Sequence, residues 1–410
     1  PSGATINNQG TAVNFGATGA ASWDTTVKTT GFTAVSGVGY FVNTTSGAIT
    51  VTLPASPAAG AVVAVKDYAN TFDTNNVTLG RNGSNIGGVA ADATLSTEGL
   101  AVTLVFVDAT QGWLVTDDGL QSNADTNPFI EATGGTVTTS GNDKIHTFTG
   151  PGTFIVSTTA TCAANNVISY IVVAGGGAGG SHGGGGGGAG GFREDKSPVT
   201  PYTASPLDGA GPITVTATSF PITVGGGGTA ANNAAGGVGT NSTFNTITST
   251  GGGGGGGSYP SVQPATAGGS GGGSGGPTGT GAAGNTPPVS PSQGFPGGNS
   301  AATFEAGGGG GATAVGGSGT APNSGAGPGG AGATSSINGT PTERAGGGGG
   351  STDNSPQGTA SGGGGAGANG PSGNPGTANT GGGGGGNHSG PPATGGNGGS
   401  GIVVIRYKFQ

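Results

Sequence analysis

The sequence predicts an all-β N-terminal domain followed by a polyglycine II helix bundle or sandwich closed by a small β-sheet, with essentially no α-helix. Three observations lead there. Most of the 103 glycines lie after Ile171, in runs such as Gly183–Gly188, Gly251–Gly257, Gly307–Gly311, Gly346–Gly350 and Gly381–Gly386. Short β-rich pieces divided by Gly, Pro, Asn and Asp fill the region before them, and no helical periodicity competes. Strand-like segments also enter and leave the glycine runs, which a flexible linker would not need. A polyglycine helix has three residues per turn and no internal hydrogen bonds, so its N–H and C=O groups point outward and are satisfied by packing against like neighbours. Such packing leaves no room for a Cβ, as at the axis of collagen.

Taken in order, residues 1–22 are small and polar and read as an extended connecting segment. Residues 23–118 read as one β-domain: Ala48-Ile-Thr-Val-Thr-Leu53 alternates apolar and polar, and Thr103-Leu-Val-Phe-Val107 is apolar enough to be buried on both faces. Trp23 and Trp113 are expected in its core. Residues 119–143 read as a linker with a short strand at Thr136–Thr139, and residues 144–410 as the glycine-rich domain. There Lys144–Gly150, Thr153–Ser157 and Val167–Val173 are strands, the last running straight into glycine. The closing Gly401–Phe409 is expected to pair with the opening strands and bring both ends of the domain onto one β base. The irregular inserts, above all Pro277–Ala306 and Ala312–Ala345, read as exposed loops that vary while the rack stays constant.

Composition excludes several classes. Only 6% of residues are charged, the net charge is −8 and the pI is near 4.6, which gives no basic footprint for nucleic acid or anionic membrane. No apolar run is long enough to insert as a transmembrane helix. The single cysteine, Cys162, reads as a small buried residue. Methionine is absent, including at position 1, so the chain reads as a fragment or a processed product.

No catalytic constellation stands out. Between Gly209 and Gly401 the charged residues are Glu305, Glu343, Arg344 and Asp353, too few for the paired carboxylates of glycoside chemistry. His146, His182 and His388 lack the neighbours that metal ligation uses, and the many G-x-G-x-x-G matches follow from composition alone. No enzyme, metal or cofactor is expected. The candidate contact residues are bulky or charged side chains stranded among glycines, because a packed lattice has no place for them: Tyr259, Phe295 and Phe304, then Glu305, Glu343, Arg344 and His388. The alternative for each aromatic is a local cap on the side of the lattice.

Residues 144–410 resemble the glycine-rich domain of bacteriophage tail-fibre proteins. The likeness rests on Ile145-His-Thr-Phe-Thr-Gly-Pro-Gly-Thr-Phe154, Tyr170-Ile-Val-Val-Ala-Gly-Gly-Gly177, Phe220-Pro-Ile-Thr-Val-Gly225, Asn241-Ser-Thr-Phe-Asn-Thr-Ile247 and Gly401-Ile-Val-Val-Ile405. The design is similar to the tip adhesins of T-even-like phages, in which polyglycine helices form a sandwich and the intervening segments bind the host. Residues 48–116 look like a β module of marine phage fibres, which implies a homotrimer. The resemblance implies a virion location, other tail or fibre proteins as partners, and a host outer-membrane protein or surface glycan as receptor. Two further possibilities stay open: a structural virion or filament component, and ice binding, which the long irregular inserts argue against.

Overall fold

The computed structural model describes residues 21–120, 129–160, 162–259, 261–301, 304–320, 324–353, 356–390 and 393–410. The chain divides into two compact units, Pro1–Thr126 and Asn127–Gln410. Most of the connecting segment expected over 1–22 lies outside the described residues. Within the stretch expected as a linker, Glu131–Thr133 and Thr136–Ser140 are strands of the second unit.

In the first unit the chain alternates between two sheets. One has the order Ser22–Lys28, Val38–Val42, Val62–Asp67, Leu100–Asp108, Gly112–Leu120; the other has Phe32–Thr33, Ile49–Thr52, Val77–Gly80, Ala93–Leu95. Because successive strands fall in alternate sheets, the early neighbours within each sheet pair in parallel. Period-two alternation then aims Ile49 and Val51 inward, where they meet Val42, Val63, Val65, Phe72, Leu79, Leu104 and Trp113. Strand Leu100–Asp108 is buried on one face only: Val102, Leu104 and Phe106 point in and Val107 is exposed. Trp23 is likewise outside the core, since it sits on an edge strand with its ring 4.9 Å from that of Phe41.

The second unit rests on a β base. Its main sheet has the order Thr136–Ser140, Asp143–Phe148, Ile402–Lys408, Val167–Val173, Phe192–Asp195, so the closing strand pairs antiparallel with both opening strands. Both faces of that closing strand are covered. Val403, Ile405 and Tyr407 join a core with Phe154, Tyr170, Phe220 and Phe244, contributed in part by a second sheet. Ile402 and Val404 point the other way, against Ile171, Val173, Phe192, Ala312 and Ala345 at the foot of the glycine rows. The apolar run is continuous because neither side meets water. Arg406 completes the strand; its Nε donates to Asp143 Oδ2 at 2.7 Å, with both side chains buried. Cys162 does not extend a strand. It is exposed, just before the 3₁₀ turn Ala163–Asn166.

Above the base the glycine runs form polyglycine II helices, and the hydrogen bonds show the three-residue repeat directly. In the row 184–190, the N–H groups of Gly185 and Gly188 donate to Gly256 and Gly253, those of Gly186 and Ala189 to Gly307 and Gly310, and those of Gly187 and Gly190 to Gly384 and Gly381. Every third residue addresses the same neighbour. The carbonyls repeat the pattern: Gly185 and Gly188 accept from Gly180 and Gly177, Gly186 and Ala189 from Gly273 and Ser270, and Gly184 and Gly187 from Ser351 and Gly348. This row is thus enclosed by six others, three accepting from its N–H groups and three donating to its carbonyls. A Cβ on Gly185 would land on the Gly273 carbonyl oxygen, one on Gly186 on that of Gly348, and one on Gly187 on that of Gly177. Glycine there is a steric requirement.

The rows run out from the base and back. Val167–Val173 leads outward into 175–180, and 184–190 returns to strand Phe192–Asp195, which pairs antiparallel with Val167–Val173. The inserts expected as long exposed loops are largely woven into this bundle. Ala282 donates to Gly272, Gly298 to Gly308, Gly317 to Pro328 and Gly330 to Gly309, so two or three small residues suffice to make a row.

Candidate functional site

Alternation of direction sorts the connections into two sets. Those beside the base are fixed to it: Phe192 N–H donates to the Gln293 carbonyl, Ser335 Oγ to Glu194 Oε1 at 2.6 Å, and Arg406 to the Ile337 carbonyl. At the distal end, turns distant in sequence meet around a depression of about 630 Å³ lined by His182, Ser258, Tyr259, Phe304, Asp353, Asn369, His388, Ser389 and Gly390.

Each wall has a local cause. His182 occupies the turn between the first two rows at φ +53°, with its Nε2 2.7 Å from Asn233 Oδ1, and the Ser258 hydroxyl donates to its carbonyl. The Tyr259 ring lies 5.0 Å from the His182 ring. Phe304, at φ +64°, heads a returning row and meets His388 edge-on with ring centroids 6.3 Å apart. Bulky residues in the left-handed region cost of order 1–3 kcal/mol and collect at functional sites. Gly183 lets these groups close in, since a Cβ on it would lie 3.2 Å from Phe304 Cδ1 and 3.5 Å from His388 Nδ1. Asn369 Nδ2 donates to the Asp353 carbonyl at 2.8 Å and so ties two turns together.

Tyr259 and Phe304 are 46% and 43% exposed, and they are the exposed aromatic side chains among the described residues of the second unit. His388 is half-buried, and its Nδ1 is enclosed without a hydrogen-bond partner among the described residues. Burial holds its pKa below the ordinary value, with Asp353 and Glu305 pulling the other way; the imidazole is favoured in its neutral form. Among the described residues, no group of three or more His, Cys, Asp or Glu is placed to hold a metal ion.

Of the seven side chains singled out from sequence, Tyr259, Phe304 and His388 come together here. Glu305 is next in sequence to Phe304 but fully buried, because it opens a row that others pack around, so it is no surface contact. Phe295 is half-buried and belongs to a row: its N–H donates to Gly311 and its carbonyl accepts from Gly271. Glu343 and Arg344 lie toward the base, in the hairpin Ala333–Ser335 with Thr342–Arg344. Glu343 Oε1 accepts from Gly332 N–H and Ser361 Oγ, while Arg344 is only 5% exposed, beside the buried Glu194. Sequence reasoning missed His182, Asp353 and Asn369 as partners of this site. A histidine between Ser181 and Gly183, inside a glycine tract, was the available signal.

A polyglycine bundle whose turns bring Tyr259, Phe304 and His388 together at one end defines a class: a backbone-built scaffold with a turn-lined cavity. The family model of the glycine-rich domain matches residues 147–408, and the chain belongs to that family. No curated protein matches the sequence.

Proposed function

We propose that this protein is the receptor-binding part of a phage tail fibre, adsorbing to a bacterial surface through the distal turns. One observation carries the reading: rows that return repeatedly to a common base assemble, at their far end, a cavity walled by two exposed aromatic rings. Exposed, braced rings in a concave site are the usual makings of recognition. Adsorption needs no chemistry, and several fibres on one particle would raise avidity by roughly 10²–10⁴ over a single contact. The tail-fibre assignment adds the resemblance of residues 144–410, and a trimer with other fibre proteins as partners belongs to the same proposal.

The test is saturable binding of the purified chain to intact cells of candidate hosts, beside the double variant Tyr259→Ala/Phe304→Ala. Both side chains are exposed, so the variant is expected to fold with unchanged circular dichroism and melting. Binding that is lost in the folded variant supports the proposal. Absence of binding to any cell, together with association with a virion component, makes the chain a structural part instead.

A further inference from the structure

We propose that the distal cavity is a subsite for one or two uncharged pyranose residues of a surface glycan, with Tyr259 and Phe304 as the stacking platforms; this deepens the receptor-binding reading and rests on it. Volume fits first. About 630 Å³ falls within the roughly 300–1,000 Å³ of small-molecule sites.

The chemistry of the walls selects the ligand. Among the described residues no lysine or arginine lines the cavity, and Asp353 stands in its wall. A phosphate or an acidic sugar would meet the Asp353 carboxylate with no cation among the described lining residues to offset it. Three of the polar atoms spend a donor on the protein. Ser258 Oγ donates to the His182 carbonyl, Ser389 Oγ to the Gly370 carbonyl and Asn369 Nδ2 to the Asp353 carbonyl. What remain are acceptor positions on the two hydroxyls, on Asn369 Oδ1 and on the Asp353 carboxylate, whose Oδ1 also takes the Thr352 hydroxyl at 3.5 Å, together with two donors, the second Asn369 N–H and the Tyr259 O–H. The enclosed His388 Nδ1 adds one more hydrogen-bonding atom. A wall that offers both acceptors and donors calls for a ligand whose groups do both, as sugar hydroxyls do.

A lysine side chain of a receptor loop would bring its donors to one point, whereas these acceptors come from separate turns around the cavity. A pyranose matches that spread, with hydroxyls around its rim and apolar C–H faces for the rings. Each ring is already held against a histidine, Tyr259 by His182 and Phe304 by His388, so little side-chain freedom remains to be lost on binding.

The experiment has two arms. In the first, ligand-observed NMR follows the methyl glycosides of D-glucose, D-galactose and D-mannose and the anion methyl phosphate added to the purified full chain. Saturation transfer to at least one glycoside and not to methyl phosphate is expected, reduced at least tenfold in Tyr259→Ala and in Phe304→Ala and weakened in Asp353→Asn. No transfer to any glycoside, or transfer unchanged in all three variants, overturns the sugar subsite. In the second arm, host cells are treated with periodate, which cleaves vicinal diols, or with protease. Loss of binding after periodate with retention after protease is the expected result. Loss after protease alone overturns the glycan inference while leaving the adhesin reading intact, since the receptor is then a protein. If no cells bind at all, the adhesin reading fails, and the first arm still decides whether the cavity takes a sugar.

Discussion

The two units of this chain exclude water by opposite means. In the first, branched and aromatic side chains fill the space between two sheets, and the backbone is the frame that aims them. In the second, the rows above the base have almost no side chains to pack; backbone touches backbone, and each amide is satisfied by a different row. The first unit is therefore sensitive to removing atoms and the second to adding them.

The sharpest way to test that contrast is Gly187→Ala. The added methyl collides with the Gly177 carbonyl oxygen in a row enclosed on six sides, and neither backbone can shift without breaking bonds to others. A loss of more than about 4 kcal/mol is expected, beyond the usual range for one substitution, read as collapse of the second unit's thermal transition while the first unit's transition stays. Next is Arg406→Met. It strands the buried Asp143 carboxylate and removes the donor to the Ile337 carbonyl, for an expected cost of about 3–5 kcal/mol in denaturant unfolding. An unchanged midpoint would show that the base does not depend on the pair.

In the first unit Leu104→Ala empties a fully buried site and is expected to cost about 2–5 kcal/mol, seen in that unit's transition alone. A smaller effect follows from His146, whose Nδ1 lies 2.7 Å from the Gly134 carbonyl and Nε2 3.1 Å from Tyr407 Oη. Burial holds its imidazole below the ordinary 6.5. Between the native pKa and 6.5 the unfolded chain binds a proton that the native base does not, so this contribution is complete above about pH 6.5 and lost as pH falls through the native value. Melting of the second unit should decline over that window, and less steeply in His146→Gln. The smallest change has the opposite sign. At Gly226 a Cβ would meet nothing nearer than Thr240 Oγ1 at 3.9 Å, so Gly226→Ala should stabilise by about 0.4–1 kcal/mol through the unfolded chain. Destabilisation there would mean that the rack rejects side chains even at its margins.

Much of this was legible in the sequence, for identifiable reasons. Val167–Val173 and Ile402–Lys408 are rich in branched apolar residues, interrupted by Ser169 in the first and by Arg406 and Lys408 in the second, and the five long glycine tracts admit few structures that satisfy their amides. Rows built from two or three small residues, such as those through Ala282, Gly298 and Gly317, were not legible, because their identity lies in the partners that surround them. That is why Pro277–Ala306 and Ala312–Ala345 read as loops. At the site, Tyr259, Phe304 and His388 were visible as side chains with no room in a lattice. Which turn shares an end with which depends on row direction, and no local pattern encodes it; so Glu343 and Arg344 were grouped with residues at the opposite end, and Asp353 and Asn369 went unassigned. Glu305 differs from Phe304 only in falling one residue further into a row.

The out-and-back course of the rows also has a mechanical consequence. Each distal turn continues on both sides into a row that runs to the base, so a pull on anything held at the tip travels down two rows at once. The hydrogen bonds between rows lie across that line of tension. They are loaded together, in shear, rather than opened one after another as in a peeled hairpin. A bundle assembled from the most pliable of residues is in this way stiffest along its own rows.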